Sequence, residues 1–407
     1  MLCQFTVKNF KSYRSEATLD MRAANLSEFQ DSLIVPEDPK LEKLLPIAAL
    51  YGPNAGGKSN LIAALAYLIS RVISPIGTSM GHVIPFKFGM SYSSEPIPFL
   101  FDDSSKSQPT EFEVFFRTGK AQYQYQLAVS KNAVLSESLF VMKMSSHRYN
   151  LLFEREGSQI RLGGALRRAN TKNVGSTIPF LSFLAIGYEF PEIKDALSWF
   201  YDCCIVNFSI PYSDHNFYEA LNDIKGSVLQ LLSEMDIPIS DYSIEKSEES
   251  EVVYTTHLVN GKPYQLRLEY ESAGTLKILS VIVPMLASYL KGGLFIVDEL
   301  DAKLHPQLLR YLISLYTDPE MNKERAQLVF TCHDLSIMSN EFLRRDEIWF
   351  AARGKDSGSE LWSLADIQDT DGKRVKNTEA YDKRYLEGRY GADPYLRRIQ
   401  EWGGSDA

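Results

Sequence analysis

One short segment constrains this chain more than any other: Gly52-Pro53-Asn54-Ala55-Gly56-Gly57-Lys58-Ser59 matches the pattern GxxxxGK[ST]. The pattern has a mechanism, and the mechanism demands a strand before it and a helix after it. Glycines let backbone N–H groups approach phosphate oxygens, the helix N-terminus favours anions, a lysine reaches the β and γ phosphates, and the final hydroxyl can ligate magnesium. The flanks comply. Ile47 to Tyr51 reads as a short apolar strand, and Leu61, Leu65, Leu68, Ile69 and Val72 recur at helical spacing until Pro75, where the pattern predicts a stop. A mere glycine turn has no need of this context. Asn54, Gly56, Gly57, Lys58, Ser59 and Asn60 are therefore the expected nucleotide-binding residues, with ATP and Mg2+ as the expected ligands.

Two later segments supply what a phosphate loop lacks. Gly293 to Val297 is an apolar strand running into Asp298-Glu299. Asp298, with Ser59, is the expected metal ligand, and Glu299 is the expected catalytic carboxylate that orients or activates the attacking water. An isolated acidic pair after a buried strand is more often a helix cap; pairing with the phosphate loop reverses that reading. Gln327 to Thr331 is a further apolar strand ending in Cys332-His333-Asp334, which makes His333 the candidate catalytic sensor of the γ phosphate. His305, before Pro306 at a predicted helix start, reads as positional.

Elsewhere the patterning defines the frame. Cys3, Phe5 and Val7 fall on one face of an N-terminal strand, and alternating runs on either side of Gly119 and of Asn260-Gly261 predict two hairpins, at 111–129 and 252–270. Between them, 164–240 carries helical patterns such as Ile193, Leu197, Phe200, Tyr201 and Leu221, Ile224, Val228, Leu231, Leu232. The expected class is α/β with mixed sheets: a head formed by 1–163 and 241–407, a helical insertion lobe at 164–240, and no long coiled coil, since no heptad repeat persists. The longest apolar stretch, Leu276–Leu290, falls short of the ~20 residues of a membrane span and contains Lys277 and Pro284. With no signal-peptide pattern at Met1–Lys8, and four cysteines without metal spacing, a reducing cytoplasm and no membrane partner are expected.

In order and kind these segments resemble the SMC, RecF and zinc-hook repair branch of the ABC ATPase superfamily. The likeness is carried by Asn9-Phe10-Lys11-Ser12, the phosphate loop, Glu271-Ser272-Ala273-Gly274-Thr275, Asp298-Glu299-Leu300-Asp301 and Thr331-Cys332-His333-Asp334. The resemblance implies an ABC-type P-loop ATPase head in which the signature segment of one subunit caps ATP held by another. Ser272 and Gly274 would then bind nucleotide in trans, with Asp301 in the dimer-contact loop. The signature departs from the LSGGQ of transporters, and Pro85-Phe86 lies in the region where a Q-loop is expected. More narrowly, Leu304-His305-Pro306 and Tyr385-Leu386-Glu387-Gly388-Arg389-Tyr390-Gly391-Ala392-Asp393-Pro394 look like the RloA-like and AriA-like ATPases of bacterial anti-phage systems.

That narrower likeness implies a bacterial cytoplasmic defence ATPase of abortive-infection type. It would form homo-oligomers through ATP-bridged heads, answer a phage-derived trigger, and control a separately encoded effector, a nuclease or toxin. The residues after Asp334 are too few for a nuclease domain, and Asp369-Thr370-Asp371 reads as an acidic loop. The alternative is a RecF- or SMC-like DNA-repair or DNA-clamp ATPase. A net charge of −9 excludes a uniformly basic nucleic-acid coat, leaving Arg161, Arg167, Arg168 and Lys172 as the one candidate DNA contact, against the reading of a solvated face.

Overall fold

The computed structural model describes residues 1–80, 87–88, 95–131, 133–144, 147–207, 221–246, 251–302, 304–368 and 372–392. Strands β1 (Leu2–Lys8), β2 (Ala17–Asp20), β5 (Thr110–Arg117), β6 (Ala121–Val129), β7 (Val134–Lys143), β8 (Tyr149–Glu156) and β9 (Gln159–Leu162) form an antiparallel sheet ordered β2-β1-β5-β6-β7-β8-β9. Its alternation drives one face inward: Phe5, Val7, Phe112, Val114, Phe116, Tyr123, Tyr125 and Leu127 share one core. Cys3 does not join them. A register shift between Leu2 and Gln4 reverses the phase, placing Leu2 with Phe5 and Val7 while Cys3 packs with Ile34 and Leu44.

The second sheet holds β3 (Ile47–Tyr51), β4 (Lys87–Phe88), β10 (Cys203–Asn207), β14 (Leu294–Asp298), β15 (Gln327–Thr331), β16 (Ile348–Arg353) and β17 (Ser359–Ser363), in the order β17-β16-β3-β15-β14-β10-β4. All its pairings are parallel except β16 with β17. Strands β3, β14 and β15 are buried at every residue, which suits their apolar interiors; the buried polar residues Asp298, Gln327 and Thr331 stand at strand ends. Ala48, Leu50, Ile296 and Val329 face the core shared with the antiparallel sheet, α1 (Lys58–Met80), α3 (Phe180–Gly187) and α4 (Pro191–Asp202). Ala49, Tyr51, Phe295, Val297 and Phe330 face a second core with α5 (Lys225–Glu234), α6 (Ala273–Tyr289) and α7 (Pro306–Thr317). The result is a mixed α/β head of layered sheets and helices, without a coiled coil among the described residues.

Several expectations change. Pro75 lies inside α1 instead of ending it, because Val72, Ile73 and Ile76 are buried and tertiary packing outweighs one lost backbone hydrogen bond. By length and composition α1 could cross a bilayer, yet 72% of its most apolar window is buried within the protein, so packing accounts for its apolarity. The described part of 164–240 does not stand apart as a lobe: α3 and α4 pack against α1, and Cys203–Asn207 enters the central sheet beside β14. The segment's helical periodicity concealed that short strand. The hairpin at 252–270 forms from β12 (Glu251–Val259) and β13 (Lys262–Arg267) around Asn260-Gly261, whose φ angles of 52° and 75° suit a tight turn; β11 (Asp241–Lys246) completes this third sheet. Leu268–Tyr270 leaves the sheet as a 3-10 turn, and Tyr264 is 56% exposed, so alternation on β13 did not signal a buried face. Of the two short helices, α2 (Asp103–Lys106) precedes β5, and α8 (Tyr381–Leu386) adds Tyr381 and Tyr385 to the second core.

Candidate functional site

The chain enters the phosphate loop from β3 and leaves it on α1. Gly52 and Gly57 have φ of 139° and 121°, which L side chains rarely adopt. A Cβ at Gly52 or Gly56 would lie 2.1 or 2.3 Å from the Ala351 carbonyl oxygen on β16, so the neighbouring strand requires these glycines as well. Inside the loop, Lys58 Nζ donates to the carbonyls of Gly52 at 2.7 Å and Pro53 at 3.1 Å. Burial lowers the Lys58 pKa, opposed by the carboxylates of Asp298, Asp301 and Glu299. The lysine therefore lies in the field of the acidic strand end.

Asp298 and Glu299 emerge where β14 ends beside β15. Ser59 Oγ donates to Asp298 Oδ1 at 3.1 Å. Thr331 Oγ1 donates to the same oxygen at 2.7 Å and accepts the Glu299 backbone N–H at 2.7 Å. Glu299 has a φ of 59°, a left-handed conformation that costs a non-glycine residue about 1–2 kcal/mol; the bond to Thr331 helps to hold it there. The sequence shows Thr331 as a strand end and as part of Thr331-Cys332-His333-Asp334, but nothing local marks a hydroxyl that bridges two residues of the adjacent strand.

The loop after β15 places the His333 side chain in an exposed position, while the backbone N–H groups of His333 and Asp334 both donate to Asp301 Oδ2 at 2.9 Å. Asp301, expected at a subunit contact, thus ties two loops of its own chain. Its Oδ1 is buried and without a hydrogen-bond partner. Asn60, expected at the nucleotide, directs its amide to Ser12 Oγ at 2.7 Å, and Ser12 also accepts from the Ser359 hydroxyl at 2.8 Å and the Ser359 N–H at 2.7 Å. The Tyr13 hydroxyl donates to the Gly57 carbonyl at 3.2 Å. The Asn9–Ser12 segment therefore underpins the phosphate loop, with Asn9 and Lys11 at φ of 55° and 49°. Lys11 is a further cation here: burial lowers its pKa and Asp298 opposes the shift. In the sequence its signal was a lysine inside Asn9-Phe10-Lys11-Ser12, the segment that follows the first strand.

Ser272 and Gly274 are separate from this cluster in the hydrogen-bond pattern. Ser272 caps α6, its Oγ accepting from Thr275 N at 3.0 Å, and a Cβ on Gly274 would meet only Ser272 Oγ at 3.7 Å. The helix end is open around them. His305 caps α7, its Nδ1 accepting from Gln307 N at 3.3 Å. Tyr385 and Tyr390 pack on Phe350 of β16, with ring centroids 5.6 and 5.5 Å apart, and the Tyr385 hydroxyl donates to the Ala392 carbonyl. The C-terminal motif thereby braces the strand that abuts the phosphate loop. Of the basic cluster, Arg161 pairs with Glu154 and Arg168 lies over the Phe190 ring. Pro85-Phe86, Asp369-Thr370-Asp371 and Asp393-Pro394 lie outside the described residues.

Residues 47–339 match the family model described as "AAA domain, putative AbiEii toxin, Type IV TA system". No protein of curated function matches the sequence. Among solved structures the chain is similar to the SMC head domain from Thermotoga maritima, at 12% identity and a TM-score of 0.40, covering 89% of this chain and 98% of that one. It is also similar to the Smc head domain with an extended coiled coil, bound to the C-terminal domain of ScpA, from Pyrococcus furiosus, at 14% identity and a TM-score of 0.41, covering 89% and 96%.

Proposed function

The chain belongs to the AAA-domain family that its residues 47–339 match, and from that premise we propose that it binds ATP with magnesium and hydrolyses it, as the nucleotide-driven subunit of a bacterial defence system. The observation that carries the reading is the junction of Ser59 Oγ, Asp298 Oδ1 and Thr331 Oγ1, which joins the phosphate loop to the acidic strand end. Each group has work suited to its place. The loop amides and Lys58 bind the triphosphate, and Lys11 adds positive charge. Ser59 and Asp298 offer a hydroxyl and a buried carboxylate, the hard oxygen donors that suit magnesium, which when bound neutralises phosphate charge. Glu299, aimed by Thr331, positions the attacking water, and the exposed His333 is available to the γ phosphate.

Ser272 and Gly274 stand at an open helix end, so in this reading they cap ATP held by a second copy, giving homo-oligomers bridged by nucleotide. The family's description names a toxin of a type IV toxin–antitoxin system, which is in keeping with a defence role; the cytoplasmic setting, the separately encoded effector and the phage-derived trigger rest on the narrower resemblance alone. The C-terminal Tyr385–Ala392 segment carries part of that resemblance. Calorimetry with ATP on wild type and Lys58→Ala tests the nucleotide site: wild type should bind and the variant should not, whereas equal affinity removes the assignment. Pull-down from the native host should recover a stoichiometric protein that leaves on infection; recovery of DNA alone transfers the assignment to a repair or clamp ATPase.

A further inference from the structure

The first residue of the signature segment is anchored to a different part of the fold. Glu271 has a side chain only 8% exposed; its Oε1 lies 2.7 Å from His257 Nε2 and accepts from the Thr255 hydroxyl. Thr255 and His257 are two positions apart on β12 and therefore point to the same face of its sheet. Val253, on that face, shares a core with Val228 and Leu232 of α5. On its other side Glu271 is followed directly by Ser272, the cap of α6. A carboxylate taken out of water must be hydrogen-bonded, and Glu271 finds its partners on β12. The third sheet, Glu271, Ser272 and α6 thus form one continuous connection with no spare residue to absorb a displacement.

We propose that Glu271 is the positioning residue that sets the Ser272–Gly274 turn, and that the β11–β13 sheet governs this turn through Thr255 and His257. The proposal rests on the ATPase reading above, because the turn has work only if it caps nucleotide on a second copy. Glu271 touches no nucleotide in this scheme. It acts through the turn, so its loss lowers turnover while each head keeps its own phosphate loop. A displacement of the sheet by a partner would move the turn by the same route.

The test uses the full chain as wild type, Glu271→Ala, Glu271→Gln and His257→Ala, with ATP affinity by calorimetry and phosphate release over a range of protein concentrations. Glu271→Ala should keep its ATP affinity within about twofold and lose about tenfold or more in turnover, the scale of a misplaced group. Glu271→Gln, whose amide oxygen still accepts from Thr255, should recover most of it. Wild-type turnover in Glu271→Ala, or affinity falling in parallel with turnover, would overturn the proposal. If Glu271→Ala does not fold, His257→Ala decides: the same split supports the role and wild-type kinetics overturn it. A wild-type protein that neither binds nor hydrolyses ATP would fail the ATPase reading and this role with it; hydrolysis by wild type and both alanine variants alike fails this role alone.

Discussion

Replacing Thr331 with valine removes one oxygen from a fully buried side chain and leaves its shape nearly intact. That oxygen donates to Asp298 Oδ1 and accepts from the Glu299 N–H, each at 2.7 Å. The first bond has a charged acceptor and is worth about 1.5–3 kcal/mol, while leaving the Glu299 N–H unpaired costs about 1–3 kcal/mol where water cannot reach it. Glu299 is only partly buried, so water recovers some of the second loss and a combined destabilisation of about 3 kcal/mol is expected. Catalysis should suffer separately. The left-handed Glu299 loses the bond that aims it, and a displacement of about 1 Å can cost about 100-fold in rate. Guanidinium unfolding and steady-state phosphate release measure the two losses, with Thr331→Ser as the control that restores both. A valine variant within about 0.5 kcal/mol of wild type, the range of a bland substitution, and with unchanged turnover would show that Thr331 neither stabilises the strand end nor aims Glu299.

Gly274→Asp should leave ATP binding by the isolated head intact while blocking ATP-dependent association and hydrolysis, because a carboxylate at the open end of α6 would face triphosphate across the subunit boundary; light scattering with and without ATP reads this, and normal association would contradict it. Burial pushes the Glu347 carboxyl up to about 8 from its ordinary 4.5. Folding therefore favours the neutral acid, and the stability it contributes is complete below pH 4.5 and lost as pH rises through about 8. Glu347→Gln should remove that decline, so its unfolding midpoint gains on wild type across this window, and parallel curves for the two proteins would refute the assignment.

The sequence makes the chemistry of this site legible because a phosphate loop, an acidic strand end and a polar strand end each carry their function in local pattern. The strands β3, β14 and β15 could be read from their apolar runs, since burial on both faces leaves no alternation to misinterpret. The illegible parts depend on contacts far apart in the chain. Ser12, Asn60 and Ser359 meet beneath the loop from three separate segments, and Asp301 reaches the His333 and Asp334 amides across two loops. The bulge that turns Cys3 out of phase also leaves no mark in a single strand's composition. Similarly, β10 is a short strand among helices, recognisable only once β14 provides its partner.

In the proposed mechanism Glu299 directs hydrolysis of the ATP held by the Gly52–Ser59 loop. The most direct measurement is phosphate release at saturating ATP and magnesium by wild type and Glu299→Gln, with ATP binding measured on the same samples. Binding should be equal, with release slowed by about 100-fold or more in the variant. Equal release by the two proteins, or no ATP binding by wild type, would contradict this role for Glu299.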